Sequence, residues 1–171
     1  LAHCIRQSSP GVKRIGLTSP GNIAFVEKTG LYDVVLPYGD DLGLPQADSV
    51  SVDFAGNAGV LCAIHVGLGN HLRYSCTVGM THVGARGGAG GTLPGPTPTL
   101  FFAPDHAVAI VKDMGPQAFG AAVAQSWTGF LTLSDSLLRV DHRDGLAAAV
   151  TAFADTLAGK ADPAVGIVIR P

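Results

Sequence analysis

A chain of 171 residues is long enough to bury a real core as one ordinary domain, without disulfide or metal staples. Its 11 basic and 13 acidic side chains are scattered without runs, which leaves a formal net charge of −2 and no basic stripe to neutralise a nucleic-acid backbone. Only 14% of residues are charged while 47% are hydrophobic, so part of the surface is expected to be covered by a partner domain or by the second subunit of a homodimer. No apolar run reaches the roughly 18 to 20 residues of a membrane span, and no signal-peptide pattern opens the chain, so a cytoplasmic location away from membranes is expected.

The opening Leu-Ala-His-Cys-Ile-Arg-Gln reads as the last turns of a helix and starts without Met, which predicts a chain that begins part-way through a longer protein. Residues 12–17 then predict a first strand. Pro20 suits the first turn of a helix running to about Thr29, with Gly30 as its stop. Residues 33–36 read as a second strand and 49–54 as a third. The run 58–68 predicts a helix that is apolar nearly all round and therefore buried on more than one side. A fourth strand is expected over 72–78. Residues 84–98 are rich in Gly and Pro and read as a mobile or lid-like segment. After a short extended stretch at 100–102, two helices are expected over 104–133, separated by Gly115-Pro116. A strand at 137–140, a helix at 143–157 and a strand at 166–169 close the chain.

Short apolar strands alternating with helices predict an α/β fold, specifically an incomplete doubly wound, Rossmann-like parallel sheet. Residues 1–136 are expected to form the dinucleotide-binding part. Residues 137–171 then form a C-terminal strand-helix-strand.

In such folds the ligand lies beyond the carboxyl ends of the strands, which directs attention to Thr18-Ser19, Tyr38, Ala55-Gly56-Asn57 and Gly79-Met80-Thr81-His82. At the first of these tips, Thr18, Ser19 and Asn22 offer hydroxyls and an amide where NAD-specific folds place a carboxylate. That chemistry tolerates a 2′-phosphate and favours NADP(H) over NAD(H), although Ser-Pro before a helix is equally an ordinary N-cap. Asn57 can approach a ribose, and capping of the following helix also accounts for it. Thr81 and His82 are the polar groups expected nearest a reacting carbonyl, the alternative being a loop histidine without a role.

Other residues read as structural. His65 is expected to be a satisfied core histidine, and Asp53 to bond backbone or a cap. Gly87 to Gly91 follow no strand directly and read as a flexible loop before a phosphate cradle. Cys4, Cys62 and Cys76 lie far apart among apolar or small residues and are expected to be buried thiols, so no metal site is expected. No Gly-x-Ser-x-Gly elbow supports acyl transfer.

Ile-Gly-Leu-Thr-Ser-Pro-Gly-Asn (15–22), Thr-Gly-Leu-Tyr-Asp (29–33), Val-Asp-Phe-Ala-Gly-Asn (52–57), Val-Gly-Met-Thr-His (78–82) and the Pro-rich run at 93–104 together resemble the DUF2855 family. That family is distantly similar to medium-chain dehydrogenases/reductases of the quinone-reductase type. Thr29-Gly30-Leu31 with Tyr38 looks like the helix end and Tyr-terminated strand of those enzymes, which implies an adenosine-phosphate subsite around Thr18, Ser19 and Tyr38. Asn22 departs from the pattern, standing where NADPH-dependent relatives place a Lys. The last strand, helix and strand look like the segment that packs back on a catalytic domain. The resemblance also implies a preceding catalytic domain and a first nucleotide-binding strand with its phosphate turn. Without them the sheet is expected to carry a gap and a row of unpaired backbone groups.

The leading expectation is a fragment of an NAD(P)H-dependent reductase acting on a small-molecule substrate, with Thr18, Ser19, Asn22, Tyr38, Gly56, Asn57 and Gly79 around the cofactor and Thr81 and His82 near the chemistry. Two alternatives stand beside it: a non-enzymatic nucleotide-binding or protein-interaction module, and an inactive truncated relative.

Overall fold

A computed structural model of the chain describes residues 1–79 and 92–171. In order these form α1 (Ala2–Ser8), β1 (Ile15–Thr18), α2 (Ile23–Lys28), β2 (Val34–Pro37), β3 (Ser49–Asp53), α3 (Ala58–Leu68), β4 (Leu72–Thr77), β5 (Thr99–Leu100), α4 (Ala103–Met114), α5 (Pro116–Ser134), β6 (Arg139–Asp144), α6 (Gly145–Leu157) and β7 (Val165–Arg170). The fold is mixed α/β with parallel sheets and six helices among the described residues. The strands fall into three sheets, ordered β1-β2, β3-β4-β5 and β6-β7. By internal packing the chain divides into two units, Leu1–Val35 with Gly120–Pro171, and Leu36–Phe119.

In the first unit, β1 is fixed at both of its margins. The Asp33 carboxylate accepts bonds from the Arg14 backbone N–H (2.7 Å) and from Arg14 Nη2 (2.9 Å), so the strand start is tied to the residue before β2. Gly16 lies under the Tyr32 ring so closely that a Cβ there would sit 3.0 Å from ring carbons. The helix expected from Pro20 starts as a tight 3-10 turn over Pro20–Asn22 before α2 begins. Its stop is as expected: Gly30 has φ +62°, a left-handed conformation that a side chain resists. Along α1, His3 packs edge-on to Phe130 of α5, with ring centroids 6.2 Å apart. Cys4 is exposed, a correction to the expectation of three buried thiols; Cys62 is half-buried and Cys76 buried, and all three are free.

The same unit holds β6, α6 and β7, a parallel pair with its crossover helix, in register from Arg139↔Val165 to Asp144↔Arg170. The sequence pattern places β6 two residues too early, because Arg139, Asp141 and Arg143 are charged. Ion pairs to Asp162 and between Arg143 and Asp141 settle those charges at the surface, and the strand forms through its register with apolar β7. Leu146, Val150, Phe153 and Leu157 then line one exposed stripe of α6.

In the second unit, β3, α3 and β4 make a parallel crossover, with Val50↔Tyr74 through Asp53↔Thr77 paired and β5 added beyond β4. The helix occupies the expected residues. Asn57 Oδ1 accepts from Gly59 N and Val60 N at its start, and Gly69 (φ +48°) ends it. Burial of α3 is one-sided, against expectation: Ile64, His65 and Leu68 are buried, while Val66 is 66% exposed. An apolar sequence all round does not by itself supply a second covering layer. Residues 92–98 form a loop, and the remainder of the expected lid, 84–91, lies outside the described residues.

Beneath α3 the sheet presents hydroxyls. Ser51 Oγ donates to Ser75 Oγ (3.3 Å), and Ser75 lies 2.9 Å from His65 Nε2. His65 Nδ1 is 2.8 Å from the Pro94 carbonyl. A carbonyl only accepts, so Nδ1 carries the proton and Nε2 accepts from Ser75 in the neutral ring. Ser75 and His65 have no solvent exposure, and this chain satisfies every polar atom they bury.

Candidate functional site: the strand ends of the second unit

The carboxyl ends of β3 and β4 come together through backbone. Val78 N and Gly79 N both reach the Asp53 carbonyl, at 2.8 and 3.4 Å. A Cβ on Gly79 would lie 2.9 Å from the Phe54 carbonyl oxygen, so only glycine permits this approach. Asp53 Oδ1 accepts from both Ala55 N and Gly56 N at 2.9 Å, folding the turn between β3 and α3 over its own carboxylate. Gly56 completes the turn with φ +68°. The result is a lip of main chain, small residues and the start of α3. Of the expected site residues, Gly56, Asn57 and Gly79 meet here. The backbone-bonding role expected of Asp53 is found, and so is the core role expected of His65.

Tyr38 follows β2 and is half-buried in the same unit. Burial, with the negative charge of Asp53 second, raises its phenol above the ordinary value. Tyr38 is therefore a proton-bearing hydrogen-bond donor at neutral pH, within the electrostatic reach of the Asp53 turn.

Thr18, Ser19 and Asn22 belong to the first unit, at the end of β1. Thr18 is buried. Ser19 holds the cap position of the 3-10 turn without a side-chain capping bond, and Asn22 holds that of α2, again without one. The N-cap alternative for Ser19 is therefore not supported by a side-chain bond. Asn57 is the opposite case, since its side-chain oxygen is committed to two α3 amides. The tip 18–22 contains no carboxylate. Thr81 and His82 lie outside the described residues.

A cavity of about 290 Å³ lies elsewhere in the second unit, lined by Leu42, Leu44, Gln46, Ala63 and Gly67 among others. It borders the C-terminal half of α3, and α3 runs back from the end of β3 to the start of β4. The cavity is therefore at the wrong end of the strands for the α/β ligand position. Among the described residues no group of three or more His, Cys, Asp or Glu gathers as a metal site, and no helix is long and apolar enough to cross a membrane.

The sequence reading missed the serines that pair with His65 and the Arg14–Asp33 pair. Ser51 carried a signal, standing between Val50 and Val52, whereas Ser75 lies in a strand that also holds Arg73 and Thr77 and carried none. Arg14 and Asp33 carried none beyond being charged residues within the expected strands 12–17 and 33–36.

The chain is thus an α/β protein whose second unit carries a glycine-bounded lip at the ends of parallel strands. The chain belongs to the family described as "Protein of unknown function (DUF2855)", whose model matches residues 1–162. No curated protein and no solved structure matches it.

Proposed function

We propose that the protein is an NAD(P)H-dependent oxidoreductase of the medium-chain reductase type, with NADP(H) preferred, and that its parallel strands belong to a Rossmann-like dinucleotide-binding arrangement. The observation that carries this reading is the Gly79–Phe54 approach at the carboxyl ends of β3 and β4. Parallel α/β sheets bind ligands at these ends, and a side-chain-free lip lets a cofactor contact main chain directly.

In this reading Gly56 and Gly79 form the wall against which the cofactor lies, while Asn57 holds the α3 amides in place and shapes that wall. Tyr38 donates a hydrogen bond to an anionic oxygen, a role suited to a phenol whose proton is held by burial. In the first unit, taken by itself, Ser19 and Asn22 stand at a strand tip without a carboxylate, where a 2′-phosphate meets no repulsion. Thr81 and His82 are assigned to the substrate end as polar contacts. The cofactor, when bound, supplies the hydride.

The test is NADPH oxidation by the full chain with quinones and α,β-unsaturated carbonyls as acceptors. Acceptor-dependent loss of NADPH absorbance, reduced at least about tenfold by Gly79→Ala, supports the proposal. Saturable NADPH binding without turnover on any acceptor would favour a nucleotide-binding module over a reductase.

A further inference from the structure

In the second unit β5 lies beside β4 in register from Cys76↔Thr99 to Thr77↔Leu100, and Phe101 N donates to the Thr77 carbonyl at 2.9 Å. Phe101-Phe102 therefore runs alongside Val78-Gly79, one strand spacing or about 5 Å from the glycine-bounded lip. The backbone there is held from both sides, because Asp105 N donates to the Phe102 carbonyl at 3.2 Å as α4 begins. The Phe101 ring is already occupied: it stacks on His106 with centroids 4.3 Å apart and planes 14° from parallel. Phe102 makes no aromatic contact among the described residues and is 57% exposed. A free phenyl face thus stands at the carboxyl end of β5, on the ligand side of the sheet and next to the lip.

Charge at these strand ends has one sign. Residues 54–58, 78–79 and 101–106 hold no Lys or Arg, while Asp105 in the first turn of α4 is acidic. A carboxylate or phosphate on an acceptor finds no cation there and faces a like charge, whereas an uncharged acceptor loses nothing.

We propose, resting on the reductase reading above, that the acceptor is an uncharged carbonyl compound conjugated with an aromatic ring and that Phe102 selects it by stacking on that ring. Offset stacking on a phenyl face strengthens binding about two- to tenfold beyond the area buried. A ring held against Phe102 sets the conjugated double bond beside the main chain of Gly79. Its β-carbon takes the hydride, its α-carbon takes a proton from solvent, and the saturated carbonyl compound leaves.

Three acceptors that share one reacting group test this with the full chain and NADPH: cinnamaldehyde, hexenal and a carboxylated cinnamaldehyde. Cinnamaldehyde is expected to have the highest kcat/KM of the three. Phe102→Ala is expected to raise its KM about tenfold, to raise that of hexenal less, and to leave NADPH affinity by fluorescence titration and circular dichroism as in wild type. Phe102→Tyr, which keeps the ring, is expected to restore the KM for cinnamaldehyde. A Phe102→Ala chain with wild-type KM for cinnamaldehyde, or a carboxylated acceptor used as well as the neutral one, overturns the inference and leaves the reductase reading standing. A wild-type chain that reduces none of the three, nor any other acceptor, overturns both.

Discussion

His65 Nε2 stands 2.9 Å from Ser75 Oγ, and both side chains are fully buried between α3 and the sheet. The second ring nitrogen binds the Pro94 carbonyl, so one imidazole ties a helix, a strand and the 92–98 loop together. Replacing it by Ala removes buried volume and leaves a hydroxyl and a carbonyl without partners. His65→Ala is expected to cost about 2–4 kcal/mol of stability. His65→Gln, which can keep one of the bonds, is expected to cost less. Urea unfolding monitored by circular dichroism checks both, and equal losses would mean that packing alone carries the effect.

Gly79→Ala sets a methyl group 2.9 Å from the Phe54 carbonyl oxygen, and the contact is with backbone that cannot rotate away. The strand ends must separate, at a cost of about 1–3 kcal/mol. Gly21→Ala serves as control, because nothing lies within 4 Å of a Cβ there. Thermal unfolding is expected to show a clear drop for the first variant and little change for the second.

Asp33 links its charge state to folding. The bond from the Arg14 backbone N–H lowers its pKa, opposed by desolvation and reinforced by the charge and side-chain bond of Arg14. A folded value below the unfolded one means that the stabilising contribution is complete above the unfolded pKa, about 3.9. It is lost as pH falls through the folded value. Asp33→Asn is therefore expected to be less stable than wild type at neutral pH, with the difference shrinking below about pH 4. Unfolding midpoints measured against pH check this; a difference that persists unchanged into acid contradicts it. Asp48 and Asp162 are lowered in the same direction by Arg73 and by the Ala164 amide, so the acid limb persists in the variant.

Ser19 makes no capping bond, so replacing it leaves the 3-10 turn intact. Ser19→Asp introduces the carboxylate that NAD-specific sites carry. The expected outcome is at least about tenfold weaker NADPH binding, roughly 1.4 kcal/mol, with NADH affected less. Fluorescence titration with both nucleotides reads the difference. Equal effects on the two would place the 2′-phosphate elsewhere.

The α3 crossover was legible because its signals are local: Asn57 can cap, the run 58–68 is apolar, and short strand-like runs flank it. The two helices either side of Gly115-Pro116 were legible for the same reason. What local pattern could not provide was pairing. The strand at Arg139–Asp144 exists through register with Val165–Arg170, and its own charges mask it. The division of the seven described strands into three sheets likewise depends on which edges meet, a property that no single segment encodes. Gly56, Asn57 and Gly79 could be placed together at the candidate site because strand ends are readable. That Asn57 is spent on capping while Ser19 is not could only be seen in the hydrogen bonds.

The most direct test of the nucleotide-binding proposal is an equilibrium titration of the full chain with NADPH, followed by nicotinamide fluorescence and repeated with Gly79→Ala. Saturable enhancement with wild type, weakened in the variant and tighter than for NADH, is the predicted result. A wild-type chain that is folded by circular dichroism yet leaves the fluorescence of both nucleotides unchanged would contradict it.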